Sequence, residues 1–193
     1  MKRFATALVL CSVAGLAQAA PLRDGATGLT VDPPAGYIAR AEAPDKQHAA
    51  TFSVKRPGET ATGCQIGFTR VPGNARRSQP EINAMIRSPA GQEAGRAALA
   101  SVYDVTEAAT VQLGDVGALL FLANFKPHRK LPPEAQNIRT LFAILETPRG
   151  RTSIVCTAQS GEFASRRPEF EAVVRGTTLP EAEVNRQNDF RRR

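Results

Sequence analysis

The second half of the chain contains three apolar segments that are rich in strand-forming residues and separated by turns. They are GALLFLANF (residues 117–125), IRTLFAILET (138–147) and RTSIVCTAQ (151–159). Pro148-Arg149-Gly150 separates the last two and is typical of a hairpin turn. An alternating stretch that ends at Gly114-Asp115 precedes all three. Strands joined by such short turns pair antiparallel, so this half predicts three or four antiparallel strands.

The first half adds shorter strand-like segments. Polar and apolar residues alternate in HAATFSVKR (residues 48–56), as in a half-buried strand. GCQIGFTRV (63–71) follows and places Cys64 on the same face as its apolar residues. Nearer the N-terminus, GLTVDPPAGY contains the pair Pro33-Pro34, which cannot lie inside a paired strand and therefore predicts a turn.

A helical region follows residue 77. Ser78 and Glu81 match a capping box, with Ser78 as the N-cap, and Ser88-Pro89 interrupts the helix that they begin. Residues 92–103 (QEAGRAALASVY) predict a second helix. The residues expected on its buried face are Ala94, Ala98, Leu99 and Val102.

SRRPEFEAVVRGTTL (residues 165–179) predicts a final helix with Ser165 as its N-cap, Pro168 in the first turn and Gly176 at its end. Its apolar residues Phe170, Val173 and Val174 are expected to face the core. The order of strands, helices, strands and a helix predicts an α+β fold in which helices pack on an antiparallel sheet.

The first 19 residues have the three parts of a secretory signal peptide. Lys2 and Arg3 precede an apolar stretch that is too short to span a bilayer, and Ala17-Gln18-Ala19 provides the cleavage pattern. Leu10 stands before Cys11 where a lipoprotein signal needs a small residue, so no lipid anchor is expected. The sequence therefore predicts a periplasmic or secreted protein that does not insert stably into a membrane.

The rest of the chain divides into a disordered leader (residues 20–28), a single α+β domain (29–179) and a polar basic tail (180–193). Loss of Lys2 and Arg3 with the signal lowers the formal net charge from +7 to +5. The positive charge is spread along the chain and lacks interleaved aromatic residues, which argues against a nucleic-acid partner.

Two cysteines, Cys64 and Cys156, remain after removal of the signal. In an exported chain such a pair predicts one disulfide. It would close a loop of about 90 residues and stabilise the fold by about 4–5 kcal/mol in the chain-entropy model. The alternative is two separate buried thiols.

Two basic segments are candidate sites for an anion or a partner. Arg76 and Arg77 precede the capped helix, whose N-terminus favours anions. The loop KPHRKLPPEAQN (residues 126–137) gathers four cationic or titratable side chains before a double proline, namely Lys126, His128, Arg129 and Lys130. It could dock an unknown protein or an anionic envelope component. For both segments the alternative is a solvated basic loop.

Arg166 and Arg167 open the final helix, where their positive charge opposes the helix dipole. This placement predicts a carboxylate or another anion nearby.

Catalytic and metal-binding motifs are absent from the sequence. His48 and His128, the two histidines, lie in polar segments, and neither has a ligand at metal-binding spacing. No catalytic residue, metal ligand or cofactor is predicted.

The pattern resembles the PsbP-like fold, including its bacterial exported relatives of the DcrB and LpqN type. The resemblance extends over residues 29–179 and rests on four features: GLTVDPPAGY, the central helix, Asp115-Val116-Gly117 before the long apolar strand, and the final strand and helix. Tyr37 stands where such domains often carry tryptophan, which this chain lacks. The resemblance implies an α/β/α sandwich and a non-catalytic binding or assembly module.

Three functional hypotheses follow. The first is an exported, non-enzymatic binding or accessory module of the cell envelope. The second is a hydrolase, which requires a concave site where His48 or His128 meets carboxylates or a hydroxyl. The third is a small-ligand carrier, which requires a sizeable apolar pocket between sheet and helices.

Overall fold

A computed structural model describes residues 20–127 and 132–179. The predicted signal peptide (1–19), the predicted tail (180–193) and His128, Arg129 and Lys130 lie outside the described residues. The helices are α1 (Gln79–Arg87), α2 (Pro89–Leu99), α3 (Pro133–Gln136) and α4 (Phe163–Arg175), with a 3₁₀ helix at Pro72–Arg76. The strands are β1 (Leu22–Arg23), β2 (Thr30–Val31), β3 (Ile38–Glu42), β4 (Ala50–Lys55), β5 (Gly63–Arg70), β6 (Tyr103–Leu113), β7 (Val116–Phe125), β8 (Ile138–Thr147), β9 (Gly150–Gln159) and β10 (Thr177–Thr178).

Seven strands form one antiparallel sheet in the order β3-β4-β5-β9-β8-β7-β6. Each half of the chain forms a meander of adjacent hairpin-linked strands. The two meanders join where β5 pairs with β9. The C-terminal strands that the sequence predicts are therefore part of one seven-stranded sheet. A second, three-stranded sheet consists of β1, β2 and β10. The expected α+β class is confirmed.

Helices cover both faces of the large sheet. On one face, α4 packs against the sheet through Phe163, Phe170 and Val173, which are almost completely buried. On the other face, α1 inserts Ile82 and Ile86 against Phe121 and Phe142 of neighbouring strands. The period-2 alternation of β7 and β8 therefore supplies two apolar cores, and the α/β/α arrangement is confirmed.

The start of α1 agrees with the sequence. Ser78 donates hydrogen bonds from its backbone N–H and its hydroxyl to Glu81 Oε2, both at 2.7 Å, which completes the capping box. Ser88 ends this helix and begins α2. Its hydroxyl donates to the carbonyl of Met85 at 2.6 Å and accepts from the N–H of Gly91 at 3.0 Å.

The packing face predicted for α2 is confirmed at Leu99, which packs against the core of Phe121 and Phe142, and is wrong at the other three residues. Ala94 and Ala98 are exposed, and Val102 lies beyond the helix with 46 % of its surface exposed. Gly95 faces the sheet, where an added Cβ would lie 2.7 Å from Cζ of Phe121. The glycine lets the helix backbone approach an aromatic ring, and a count of apolar residues does not reveal this kind of contact.

Two further boundaries differ from the sequence prediction. The expected disordered leader (20–28) is partly ordered, because β1 within it pairs with β2. The last helix begins at Phe163, so Ser165 is not its N-cap and Pro168 lies inside the helix rather than in its first turn. The Ser165 hydroxyl donates to the carbonyl of Glu162 at 2.8 Å instead.

Within residues 20–127 and 132–179, no helix is long and apolar enough to cross a bilayer.

Candidate functional site

One end of the large sheet brings together cationic residues from separate parts of the chain. β5 ends at Arg70 where β9 begins, and the two strands pair Thr69 with Arg151 and Arg70 with Gly150. The pairing of Ala50 with Phe68 brings the loop before β4 to the same end. The antiparallel register therefore places residues 45–49 beside Arg70 and Arg151.

These segments border a cleft of about 730 Å³, which we call the basic cleft. Its polar lining includes the cations Lys46, Arg70 and Arg151, the imidazole of His48 and the hydroxyl-bearing residues Thr69 and Ser153. Asp45 is the single acidic residue among the described residues that line it. The lining therefore carries an excess of positive charge.

Asp45 is engaged by its own loop. Its Oδ1 accepts hydrogen bonds from the backbone N–H groups of Gln47 and His48, both at 2.7 Å, and His48 Nδ1 donates to the same carboxylate at 3.0–3.1 Å. The His48 side chain and then the two backbone N–H groups lower the pKa of Asp45 to about 2. The carboxylate is therefore ionised and occupied by three donors.

The cations differ in how far the protein itself neutralises them. Arg151 donates from Nε to Glu146 Oε1 at 2.6 Å, and this buried carboxylate also accepts from Asn74 Nδ2 at 2.5 Å. The side chains of Lys46 and Arg70 make no hydrogen bond or ion pair with any described residue. An arginine fork and an ammonium group in a concave site without an internal counter-ion favour the binding of an anion.

His48 lies across a glycine of the sheet. An added Cβ at Gly67 would collide with the imidazole ring, so the glycine makes room for His48 against β5. Because Nδ1 donates to Asp45, the neutral ring has Nε2 as its acceptor.

The hydrolase hypothesis requires a histidine that meets a carboxylate in a concave site, and His48 meets Asp45 in this way. The next element of such a site is a hydroxyl bonded to the imidazole. No hydrogen bond joins His48 to Ser153 or Thr69 in the described part of the chain. The Thr69 hydroxyl donates to the carbonyl of Gln47 at 2.9 Å instead. His48 therefore meets the carboxylate that the hydrolase hypothesis names, and the hypothesis stays a prediction.

Arg76 and Arg77 lie near the same end of the sheet, since the 3₁₀ helix before α1 packs on β8 and β9. Both side chains are exposed and lie outside the lining of the basic cleft. The anion at the N-terminus of α1 is the chain's own Glu81. The backbone and side-chain bonds from Ser78, and more weakly the charge of Arg77, lower the pKa of Glu81. Glu81 thus occupies the N-terminus of α1, and a partner role for Arg76 and Arg77 stays a prediction.

Lys126 lies at the opposite end of the sheet, directly after β7. Its Nζ donates to the carbonyl of Ala100 at 2.6 Å and lies 3.9 Å from Asp104 Oδ1. Lys126, the described residue of its basic segment, thus lies at the other end of the sheet from Arg76 and Arg77. A partner role for the Lys126 loop stays a prediction.

Cys64 and Cys156 form a disulfide, as the sequence predicts. They face each other directly on the neighbouring strands β5 and β9, with 3.9 Å between their Cα atoms. Both are fully buried in the core beneath α4, so neither is a nucleophile.

Arg166 has the carboxylates that its position predicts. The guanidinium is 2 % exposed and donates to Glu59 at 2.6 and 3.0 Å. It also donates to the Tyr37 hydroxyl at 2.8 Å, and that hydroxyl donates to Glu169 Oε2 at 2.5 Å. Both terminal nitrogens of Arg166 thus bond to the protein itself, while the buried Nε has no hydrogen-bond partner and lies 3.8 Å from Glu169 Oε2. The cluster connects α4 to the loops beside it.

A second concavity, which we call the apolar groove, occupies the same end of the sheet as the basic cleft and has a volume of about 890 Å³. Leu113, Val116, Leu145 and Leu179 supply apolar surface, and Arg175 of α4 also lines it. Neither concavity is evident from sequence motifs, because each is assembled by strand pairing between distant segments. The cationic residues at strand ends, Arg70 and Arg151, are the one local signal of the basic cleft.

Among the described residues, no three His, Cys, Asp or Glu side chains are grouped so that they could hold a metal ion.

Comparison with known proteins identifies the fold. The chain is similar to the solution structure of cyanobacterial PsbP (CyanoP) from Synechocystis sp. PCC 6803, with a TM-score of 0.55 over 89 % of this chain and 98 % of that chain. The two sequences are 9 % identical, so the likeness shows the fold alone. No family model matches this sequence. No curated protein matches it either. The chain has a PsbP-like α+β fold.

Proposed function

We propose that this protein is an exported, non-enzymatic accessory module that holds an anionic partner in the basic cleft. The observation that carries the proposal is the excess of positive charge there, with Lys46 and Arg70 lacking internal partners in the described chain. A guanidinium and an ammonium group at the rim of a concave site attract an anion and provide several N–H donors. The partner is an anionic envelope component or an acidic protein surface.

Export places the module in the periplasm or outside the cell. The signal-peptide pattern of residues 1–19 supports this location, and so does a buried disulfide, because disulfides persist in oxidising compartments. The PsbP-like fold supports kinship with the exported bacterial domains of the DcrB and LpqN type. Binding without chemistry agrees with the engaged Asp45 and with a His48 that has no hydroxyl partner among the described residues.

A charge-reversal pull-down from native envelopes tests the proposal. The variant Lys46→Glu/Arg70→Glu should recover much less of the partner than the wild type. Arg40→Glu is the matched control, because Arg40 is an exposed cation on the edge strand β3 and does not line the cleft. Equal recovery by the wild type and the cleft variant would contradict the proposal.

A second arm tests the loop at the other end of the sheet. A Lys126/Arg129/Lys130 charge-reversed variant should recover the partner as well as the wild type if the basic cleft is the docking site. A loss confined to this variant would move the docking site to the loop.

A small-ligand carrier is the second candidate, and the apolar groove favours it. A concave surface with several leucine and valine side chains and one arginine suits an amphipathic molecule. Organic extraction of protein purified from its native host, followed by mass spectrometry, should then release one molecular species. Thr178→Trp would fill the groove from an exposed position and should abolish that species. An empty extract from the wild type would remove this candidate.

A further inference from the structure

We infer that the basic cleft takes the terminal phosphate of a phosphate monoester. This inference rests on the proposed anion-binding function and specifies its chemistry. The phosphate can belong to a soluble molecule or to a lipid headgroup, because both present the same three terminal oxygens.

The donors of the cleft come from three chain segments. Lys46 belongs to the loop before β4, Arg70 ends β5, and Arg151 stands near the start of β9. Ser153, two residues further along β9, adds a hydroxyl to the same lining. Donors that border a concave site from separate segments suit a compact anion with several acceptor oxygens.

The charge of the cleft and the number of its donors together indicate which compact anion fits. Lys46, Arg70 and Arg151 contribute three positive charges, and Asp45 contributes one negative charge. The lining therefore carries a net charge of +2, and the carboxylate of Glu146, which is bonded to Arg151, lowers the net charge of the site to +1, so the site attracts an anion. A phosphodiester or a carboxylate carries one negative charge and two unsubstituted oxygens. A phosphate monoester has three unsubstituted oxygens and thus matches the number of donors in the cleft better.

The internal contacts of the cleft leave suitable donors for that group. Glu146 engages Nε of Arg151, and the guanidinium has two further nitrogens that carry N–H donors. Arg70 can bind two oxygens of one phosphate with its fork, as guanidinium groups commonly do. The three hydrogen bonds that Asp45 accepts from its own loop keep its carboxylate on the loop rather than on the nearby cations.

Calorimetric titration of the full mature protein tests the inference with three small probes. Methyl phosphate should bind at least tenfold more tightly than dimethyl phosphate or acetate at the same ionic strength. Arg70→Gln and Arg151→Gln should each weaken the binding of methyl phosphate about tenfold, whereas Arg40→Gln should not change it. Arg151→Gln also removes a contact with Glu146, so circular dichroism first measures its folded fraction, and its affinity is compared with that of the wild type at the same concentration of folded protein. Arg70, which has no partner among the described residues, provides the variant that should leave folding unchanged.

Vesicle flotation distinguishes the source of the phosphate. Vesicles with phosphatidic acid, a monoester, should retain the protein if the ligand is a lipid, and methyl phosphate should compete. Vesicles with phosphatidylglycerol, a diester, should retain it less. Binding of methyl phosphate without flotation on either vesicle assigns a soluble phosphomonoester.

The outcomes separate this inference from the proposed function. Equal affinity for methyl phosphate, dimethyl phosphate and acetate overturns the assignment of a monoester and leaves an anion-binding cleft. Wild-type affinity in Arg70→Gln and Arg151→Gln shows that methyl phosphate binds elsewhere, and this also overturns the assignment. Absence of binding by all three anions to the folded protein overturns the inference; if the Lys46→Glu/Arg70→Glu variant also recovers the envelope partner normally, the proposed function fails with it.

Discussion

Arg166 donates hydrogen bonds to both carboxylate oxygens of Glu59, at 2.6 and 3.0 Å, although 107 residues separate the two along the chain. Arg166 lies in α4 and Glu59 in the connection between β4 and β5. The pair therefore attaches the last helix to the first meander of the sheet. The Arg166 side chain is almost fully buried, so these partners offset the cost of burying its charge.

Removal of one partner from this pair should cost more than removal of both. Glu59→Ala leaves a buried guanidinium with one fewer carboxylate and should lower the free energy of unfolding by about 2–4 kcal/mol. Glu59→Ala/Arg166→Met removes the charge as well and should recover part of the loss. Urea unfolding of the two variants measures the difference. A double variant that is less stable than the single variant would show that packing of the arginine stem outweighs the ion pair.

The exposed pair of Arg167 and Glu107 is the matched comparison. Arg167 Nη1 lies 3.3 Å from Glu107 Oε2, and about half of each side chain is exposed. Arg167 Nε also donates to Glu171 Oε1 at 3.0 Å, and Arg167→Met, which removes both exposed contacts, should cost less than about 1 kcal/mol in urea unfolding.

Removal of the disulfide should lower the free energy of unfolding without changing the affinity of the basic cleft for methyl phosphate. Cys64 and Cys156 are 92 residues apart in sequence, and in the chain-entropy model a bridge of this span is worth about 4–5 kcal/mol. The Cys64→Ala/Cys156→Ala variant should lose a few kcal/mol in urea unfolding and keep its affinity for methyl phosphate. Titration of the unreduced, unfolded mature protein should find no free thiol. A free thiol would contradict the crosslink.

The loop that carries Asp45 should lose stability in acid. The folded-state pKa of Asp45 is about 2 and lies below its ordinary value of 3.8. A depressed pKa stabilises the fold above the unfolded pKa, and this contribution is lost as the pH falls from about 4 through about 2. Acid unfolding of Asp45→Asn should therefore depend less on pH in this window than that of the wild type. If the free energy of unfolding changes equally with pH in the two proteins, the three hydrogen bonds to the Asp45 carboxylate do not form in solution.

Because α2 lies close to the sheet at Gly95, replacing this glycine with alanine should destabilise the protein, although alanine favours helices. Gly95→Ala should improve helix propensity by about 1 kcal/mol in an exposed helix. Here the new methyl group would meet the buried ring of Phe121, so the variant should instead lose about 1–3 kcal/mol. Ala94→Gly, at an exposed position on the same helix, serves as the control and should lose about 1 kcal/mol. Stabilisation by Gly95→Ala would show that the helix stands further from the sheet.

Local patterns predict most of the fold. Alternation, the Pro148-Arg149-Gly150 turn and the Ser78–Glu81 capping box each act over a few residues, so the sequence alone predicts these strands and this helix start. Counting cysteines predicts the disulfide for a different reason, because an exported chain with two thiols has one possible pairing.

The errors arise where distant segments decide the outcome. The predicted face of α2 assumes that apolar residues mark the contact. Leu99 does pack there, but Gly95 also faces the sheet because a ring from β7 occupies the space of a side chain. The leader appears disordered from composition alone, yet β1 is ordered by its pairing with β2.

The basic cleft is hidden from the sequence for the same reason. Lys46, Arg70 and Arg151 are scattered over more than 100 residues, and only the pairing of β4, β5 and β9 brings them together. The basic runs that the sequence displays, at Arg76-Arg77 and at Lys126–Lys130, are local features, and Lys126 lies at the opposite end of the sheet from Arg76 and Arg77.

Backbone amide shifts in a ¹⁵N–¹H correlation spectrum, recorded while methyl phosphate is added, test the central claim most directly. We predict saturable shifts confined to residues 45–49, 69–70 and 151–153, which are lost in Arg70→Gln. Shifts centred on Lys126 at the opposite end of the sheet, or shifts at the cleft that persist unchanged in Arg70→Gln, would contradict the assignment of the basic cleft as the anion site.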